Sequence, residues 1–110
     1  AGSGRMAFGV GAALLDAIVL AVVSKEADGT YGYRITQDVR SAIEVSESTL
    51  YPVLRRLQKN QCLEAYDVEC GGRNRRYYRI THNGVIKLND YKKEWMDYSS
   101  KITHLFLGEE

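Results

Sequence analysis

The chain is poor in the residues that let a small fold hold itself together by covalent or metal chemistry: two cysteines, two histidines and one proline in 110 residues. Cys62 and Cys70 lack the density of a disulfide-stapled secreted scaffold. If the stretch between them is extended, it holds them roughly 25 Å apart, beyond the reach of any bridge. They read as free thiols in a reducing cytoplasm. Neither falls in a Cys-x-x-Cys or Cys/His spacing, and His82 and His104 stand alone, so no zinc or other metal site is expected. There is no nucleophile and base at a recognisable spacing and no phosphate-cradling loop, because Gly71-Gly72 alone is a turn signal. Neither catalysis nor a cofactor is expected. Net charge is scarce as well, since 15 Lys and Arg against 14 Asp and Glu leave +1. That total names no polyanionic partner.

What is present is the balance of one globular domain, 45% hydrophobic and 26% charged. A chain of this length buries only about two-thirds of its surface, so a site must lie on one small scaffold or between subunits. Residues 1–5, Ala-Gly-Ser-Gly-Arg, read as the remnant of a cleaved tag before a native start at Met6. The longest apolar run, Met6 to Val23, is broken only by Asp16. It falls short of the roughly 20 residues that span a bilayer, and Asp16 at its middle would cost about 2.5–3.5 kcal/mol there. No membrane or signal segment is expected. The run predicts instead a helix buried nearly all round. One small chain can hardly supply that much cover, and the excess points to a dimer.

Periodicity orders the rest. A first helix is predicted from about Phe8 to Ser24, ended by Lys25-Glu26-Ala27-Asp28-Gly29. A second begins with Thr30 as N-cap and runs through Tyr33, Ile35, Val39 and Ile43. Ser46 caps a third, predicted over 46–60, with Leu50, Val53, Leu54 and Leu57 on one side. The other side carries Ser48, Pro52, Arg55 and Lys59, flanked by Thr49, Tyr51 and Arg56. Strands are predicted over Cys62–Glu69 and Arg75–Thr81, joined by Cys70-Gly71-Gly72-Arg73-Asn74. Thr81 or Asn83 then caps a last helix reaching about Leu107, in which Leu88, Tyr91, Trp95, Tyr98, Ile102 and Leu105 form a heptad seam for a second helix. The expected fold is mainly α with a β-hairpin (α+β): a winged helix-turn-helix over residues 6–81, with an N-terminal helix, followed by a long dimerisation helix over 82–110.

Divided by segment, the charge is no longer balanced. Residues 55–79 hold Arg55, Arg56, Lys59, Arg73, Arg75, Arg76 and Arg79 against Glu64, Asp67 and Glu69, a net of +4 that leaves −3 for the rest. The excess sits on the third helix and the hairpin tip, the two parts a winged helix offers to DNA. Double-stranded DNA is therefore the expected partner. Ser48, Thr49, Tyr51, Pro52 and Arg55 are candidates for base or phosphate contact, and Arg56, Lys59, Arg73, Arg75 and Arg76 for phosphates and the minor groove. Packing of Tyr51 under the hairpin is the alternative at that position.

Three segments, Tyr31-Gly32-Tyr33-Arg34-Ile35, Thr49-Leu50-Tyr51-Pro52-Val53-Leu54-Arg55-Arg56-Leu57 and Gly71-Gly72-Arg73-Asn74-Arg75-Arg76-Tyr77-Tyr78-Arg79-Ile80-Thr81 followed by Gly84, resemble the PadR family of bacterial transcriptional regulators. The resemblance extends from Leu14 to about Leu107. One departure is Asn60-Gln61-Cys62-Leu63, where the family usually has a glycine; Asn can turn left-handed, or the turning residue moves by one. The resemblance implies a homodimer on a palindromic operator, usually repressing a nearby gene. It is similar to the small subfamily, some members of which sense aromatic or multidrug ligands at the dimer interface through a tryptophan of the last helix. Trp95 matches that position, with Tyr91 and Tyr98 beside it, and Phe8, Leu15 and Asp16 as candidates for the rest of an effector wall. Simple packing between subunits is the alternative for these aromatics. Two other readings stand beside this one: a thiol-based redox sensor using Cys70 among the wing arginines, and a winged-helix adaptor that binds protein rather than DNA.

Overall fold

Burial of the apolar first helix organises the protein, which is described here over residues 12–108 by a computed structural model. That helix, α1 (Ala12–Ser24), is followed by β1 (Thr30–Tyr31), α2 (Gly32–Arg40), α3 (Glu47–Lys59), β2 (Leu63–Cys70), β3 (Arg73–Ile80) and α4 (His82–Leu107). The expected tag remnant, the start at Met6 and Phe8 lie outside the described residues. Val19, Leu20 and Val23 of α1 are fully buried against Ile35 and Val39 of α2, Leu50 and Leu54 of α3, Tyr78 of β3, and Leu88 and Tyr91 of α4. Burial does not extend all round: Leu14, Leu15, Ala17, Ile18, Ala21 and Val22 are only half-buried. No helix among the described residues is long and apolar enough to cross a membrane.

The architecture is the expected winged helix, with one strand more than the periodicity predicts. Thr30 does not cap a helix. Gly29, at φ 98°, turns the chain onto the sheet, where Thr30 pairs with Tyr78 and Tyr31 with Tyr77. The three antiparallel strands run in the order β1-β3-β2. Two residues are too few for an alternating pattern, which is why the strand is invisible to periodicity. α2 then starts at Gly32 with Tyr31 as an N-cap that lends no side chain, and it ends at Arg40 rather than Ile43.

The remaining boundaries follow local chemistry. The Ser46 hydroxyl accepts the amide of Thr49 and starts α3. At its end Gln61, φ 65°, is the left-handed residue, while Asn60 stays at φ −84°. The turn has therefore moved one position along. The amides of Cys62 and Gln61 return to the carbonyls of Leu57 and Gln58, at 2.9 and 3.0 Å, a Schellman closure. The hairpin turns on Gly71 and Gly72 alone, at φ 56° and 81°, the primed geometry that matches strand twist. Cys70 faces Arg73, so Arg73 and Asn74 belong to β3 rather than to a loop. Thr81, not Asn83, caps α4, its hydroxyl accepting the Gly84 amide at 3.0 Å.

The heptad seam of α4 divides. Leu88 and Tyr91 are consumed inside the chain, buried against α1, whereas Tyr98 and Ile102 are half-buried and Trp95 and Leu105 exposed. Leu88 and Tyr91, expected on the dimer seam, are thus part of the core of their own chain, because α4 covers α1 there. Its far half projects, giving an outline of 57 × 26 × 25 Å, and Phe106 stays 81% exposed.

Gly84 tests the packing where α4 begins. A Cβ there would run into the Cys62 carbonyl and the Ile80 side chain. Intrinsic helix propensity favours alanine over glycine by about 1 kcal/mol, but overpacking against backbone costs about 1–3 kcal/mol. Gly84→Ala is expected to lower the unfolding free energy in denaturant titration, the opposite of the propensity sign.

Candidate nucleic-acid interface

The sequence of α3 builds a two-sided helix. Leu50, Val53, Leu54 and Leu57 are buried, while Ser48, Thr49, Pro52, Arg55 and Lys59 are exposed. The hydroxyls of Ser48 and Thr49 lie 3.0 and 2.9 Å from that of Ser46, so the exposed first turn is a cluster of hydroxyl groups. Tyr51 is half-buried at the edge of this face, in a cleft of about 310 Å³. Tyr31, Tyr33, Arg73 and Arg75 line the same cleft. Tyr51 therefore packs against the wing side of the domain and keeps part of its ring open to the cleft.

Strand alternation sorts the wing. Thr30, Ala65 and Tyr78 are paired across the sheet on its core side. Burial pushes the Tyr78 phenol above its ordinary range, with Arg76 and Arg55 pulling the other way. On the opposite side Tyr31, Tyr77 and Tyr66 form a ladder, with ring centroids 5.6 and 5.8 Å apart. Guanidinium groups sit on its two ends, Arg75 4.7 Å from the Tyr31 centroid and Arg79 5.0 Å from that of Tyr66. The ladder gives Arg75 and Arg79 aromatic faces to lie against. Tyr31 and Tyr33 are site residues that residue type and charge did not single out; the Tyr31-Gly32-Tyr33 segment was the available signal.

Ion pairing separates the arginines. Asp67 and Glu64, directly across the hairpin, meet Arg76 at 3.6 Å and Arg79 at 2.7 Å. The basic run contains no acid of its own, but the facing strand supplies two. Arg34 pairs with Asp38 and Arg40 with Glu47. Arg56, one of the candidates for phosphates, donates to the Asp16 carboxylate of α1. The reason is angular: one residue beyond Arg55 the helix has turned by about 100° toward α1. Among the described residues, the arginines outside every ion pair are Arg55, Arg73 and Arg75.

The expected effector wall is redistributed too. Trp95 and Tyr91 line an apolar groove of about 600 Å³ whose other wall is Leu14, Ala17, Ile18 and Ala21, with Ile43 at its edge. Trp95 and Tyr98 rings lie 6.3 Å apart. Leu15 and Asp16 do not line this groove; the helical turn carries them away from the face of 14, 17, 18 and 21. Asp16 borders a separate polar cleft with Arg56. Both cysteines are free. Burial pushes the Cys62 thiol up, against the opposing charge of Lys87, while Cys70 is half-buried at the hairpin end. Among the described residues no group of three or more His, Cys, Asp or Glu could hold a metal ion.

A helix-turn-helix whose polar helix face lies beside an arginine-bearing wing defines a winged-helix regulator. The sequence matches the transcriptional regulator PadR-like family over residues 19–90, and the chain belongs to that family of transcriptional regulators, not enzymes. Solved structures agree. The smu.1704 protein of Streptococcus mutans is 39% identical with a TM-score of 0.81, over 92% of this chain and 93% of that one. The PadR-like transcriptional regulator of Bacillus cereus is 31% identical with a TM-score of 0.77, over 87% and 94%. Bacillus subtilis PadR, solved in complex with operator DNA, shares the fold at 22% identity and a TM-score of 0.64, over 71% of this chain and 46% of that one.

The cross-strand acids set how much charge the wing displays. Exposed pairs of this kind contribute about 0–1 kcal/mol, so Asp67→Asn and Glu64→Gln should change the unfolding midpoint little. Freed Arg76 and Arg79 should raise affinity for duplex DNA at low salt, read by fluorescence anisotropy.

Proposed function

We propose that this regulator acts in the cytoplasm as a homodimer that binds a palindromic operator and represses transcription, with α3 facing the major groove and the wing reaching the phosphates and minor groove. One observation carries the reading: Arg55, Arg73 and Arg75, the arginines without an ion-pair partner among the described residues, lie on the exposed face of α3 and on the wing. A guanidinium that no carboxylate holds is available to neutralise a phosphate without first giving up a partner. Ser48, Thr49 and Pro52 are presented beside Arg55 for base edges, and Lys59 extends the phosphate-facing row. The operator complex of Bacillus subtilis PadR supports the docking, since the fold is shared.

The second copy is placed on α1 and α4. The half-buried apolar face of α1 and the exposed Trp95, Met96 and Leu105 of α4 are surface that a single chain leaves in water. At the same place the 600 Å³ groove beside Trp95 and Tyr91 has the size and the apolar lining of a small-molecule site. A planar aromatic effector held there would favour a dimer geometry that no longer fits the operator.

Arg73→Ala and Arg75→Ala should weaken specific and non-specific DNA binding alike, each lowering the slope of log K against log salt by about one. Unchanged binding in both variants would overturn the wing assignment. Sedimentation at micromolar concentration is expected to give a dimer. Planar aromatic compounds are expected to quench Trp95, the single tryptophan, and a Trp95→Leu variant should bind them more weakly while keeping operator affinity.

A further inference from the structure

The Asp16–Arg56 pair joins α1 to α3 through residues 40 apart in the chain. Asp16 is the more sheltered partner, 14% exposed against 40% for Arg56. Asn60, Asn83, Lys87 and Tyr91 complete a cleft of about 440 Å³ around the pair, and Asp16 is its single carboxylate. The remaining ion pairs among the described residues are more exposed at both partners, and they link neighbouring turns, the α2–α3 turn or the two wing strands. This pair alone among them crosses between α1 and α3.

Its position on α3 matters. Arg55 faces outward and Leu57 lies in the core, so Arg56 ties to α1 the C-terminal half of the helix that carries Arg55 and Lys59. On α1, Asp16 lies outside the face of Leu14, Ala17, Ile18 and Ala21 that walls the Trp95 groove. One rigid helix thus carries the apolar groove on one side and the anchor of α3 on another.

We infer that Asp16 is a positioning residue for DNA binding, acting through Arg56 to set the recognition helix against α1. The inference rests on the reading of α3 as the DNA-facing helix. It assigns Arg56 to the inside of the device and removes it from the phosphate contacts.

The test uses the full chain and the duplex that the wild-type protein selects from a random pool. Asp16→Asn and Arg56→Gln are each expected to lower affinity for that duplex about fivefold, with non-specific affinity and the salt slope unchanged. The double variant should lose no more than either single one, and the exchanged pair, Asp16→Arg with Arg56→Asp, should recover part of the loss. Thermal unfolding of each variant separates loss of fold, which would reduce specific and non-specific binding together. An Arg56→Gln variant whose salt slope falls by about one would overturn the inference by making Arg56 a phosphate contact. So would an Asp16→Asn variant that binds as wild type while Arg55→Ala binds weakly. If Arg55→Ala also binds as wild type, the DNA-facing reading of α3 fails instead.

Discussion

The demand that α1 be covered governs the rest of the structure. Its fully buried stripe, Val19, Leu20 and Val23, takes contributions from α2, α3, β3 and α4, so that these four elements are placed by their relation to one helix, while β1 and β2 join the sheet through β3. Hydrophobic burial of that stripe is worth about 1.5–3 kcal/mol per large side chain, a large share of the marginal stability of a small domain. The same demand explains why Leu88 and Tyr91 turn inward. The first turns of α4 serve as a lid on α1, and only the later turns remain for another chain.

Electrostatics then distributes the arginines by register. Strand pairing sets Asp67 opposite Arg76 and Glu64 opposite Arg79, and the pitch of α3 sends Arg56 to Asp16 while Arg55 points outward. The fixed backbone thereby divides eight described arginines, five in ion pairs and Arg55, Arg73 and Arg75 outside them. Tyr31 adds a packing term by giving Arg75 a ring to lie on. A flexible side chain ordered before it meets a partner loses less entropy on binding. The wing therefore displays a metered charge, and its aromatic ladder and cross-strand acids shape that basic surface as much as the arginines do.

Most of the helical framework is legible in the residues, because long amphipathic spacing and side-chain caps are local signals. Ser46 and Thr81 start their helices for reasons contained within three residues, and Gly71-Gly72 dictates the hairpin turn through φ alone. β1 is not legible. Thr30 is a good capping residue in isolation, and it becomes a strand residue because Tyr78 offers a free edge to pair with, a fact of the assembled sheet. The extent of the site was half legible: charge and residue type pick out the basic surface, yet they cannot tell Arg56 from Arg55 or Arg76 from Arg73.

By itself the sequence determined the winged-helix order, the core face of α3, the basic surface and the family, since periodicity, composition and turn chemistry act over a few residues. The tertiary structure alone decided which cations keep their charge available and which apolar residues remain uncovered. Ion pairs such as Arg56 with Asp16, and lids such as Tyr91 over α1, join positions far apart in the chain. Their distances are set by how the helices pack, and no local pattern encodes them.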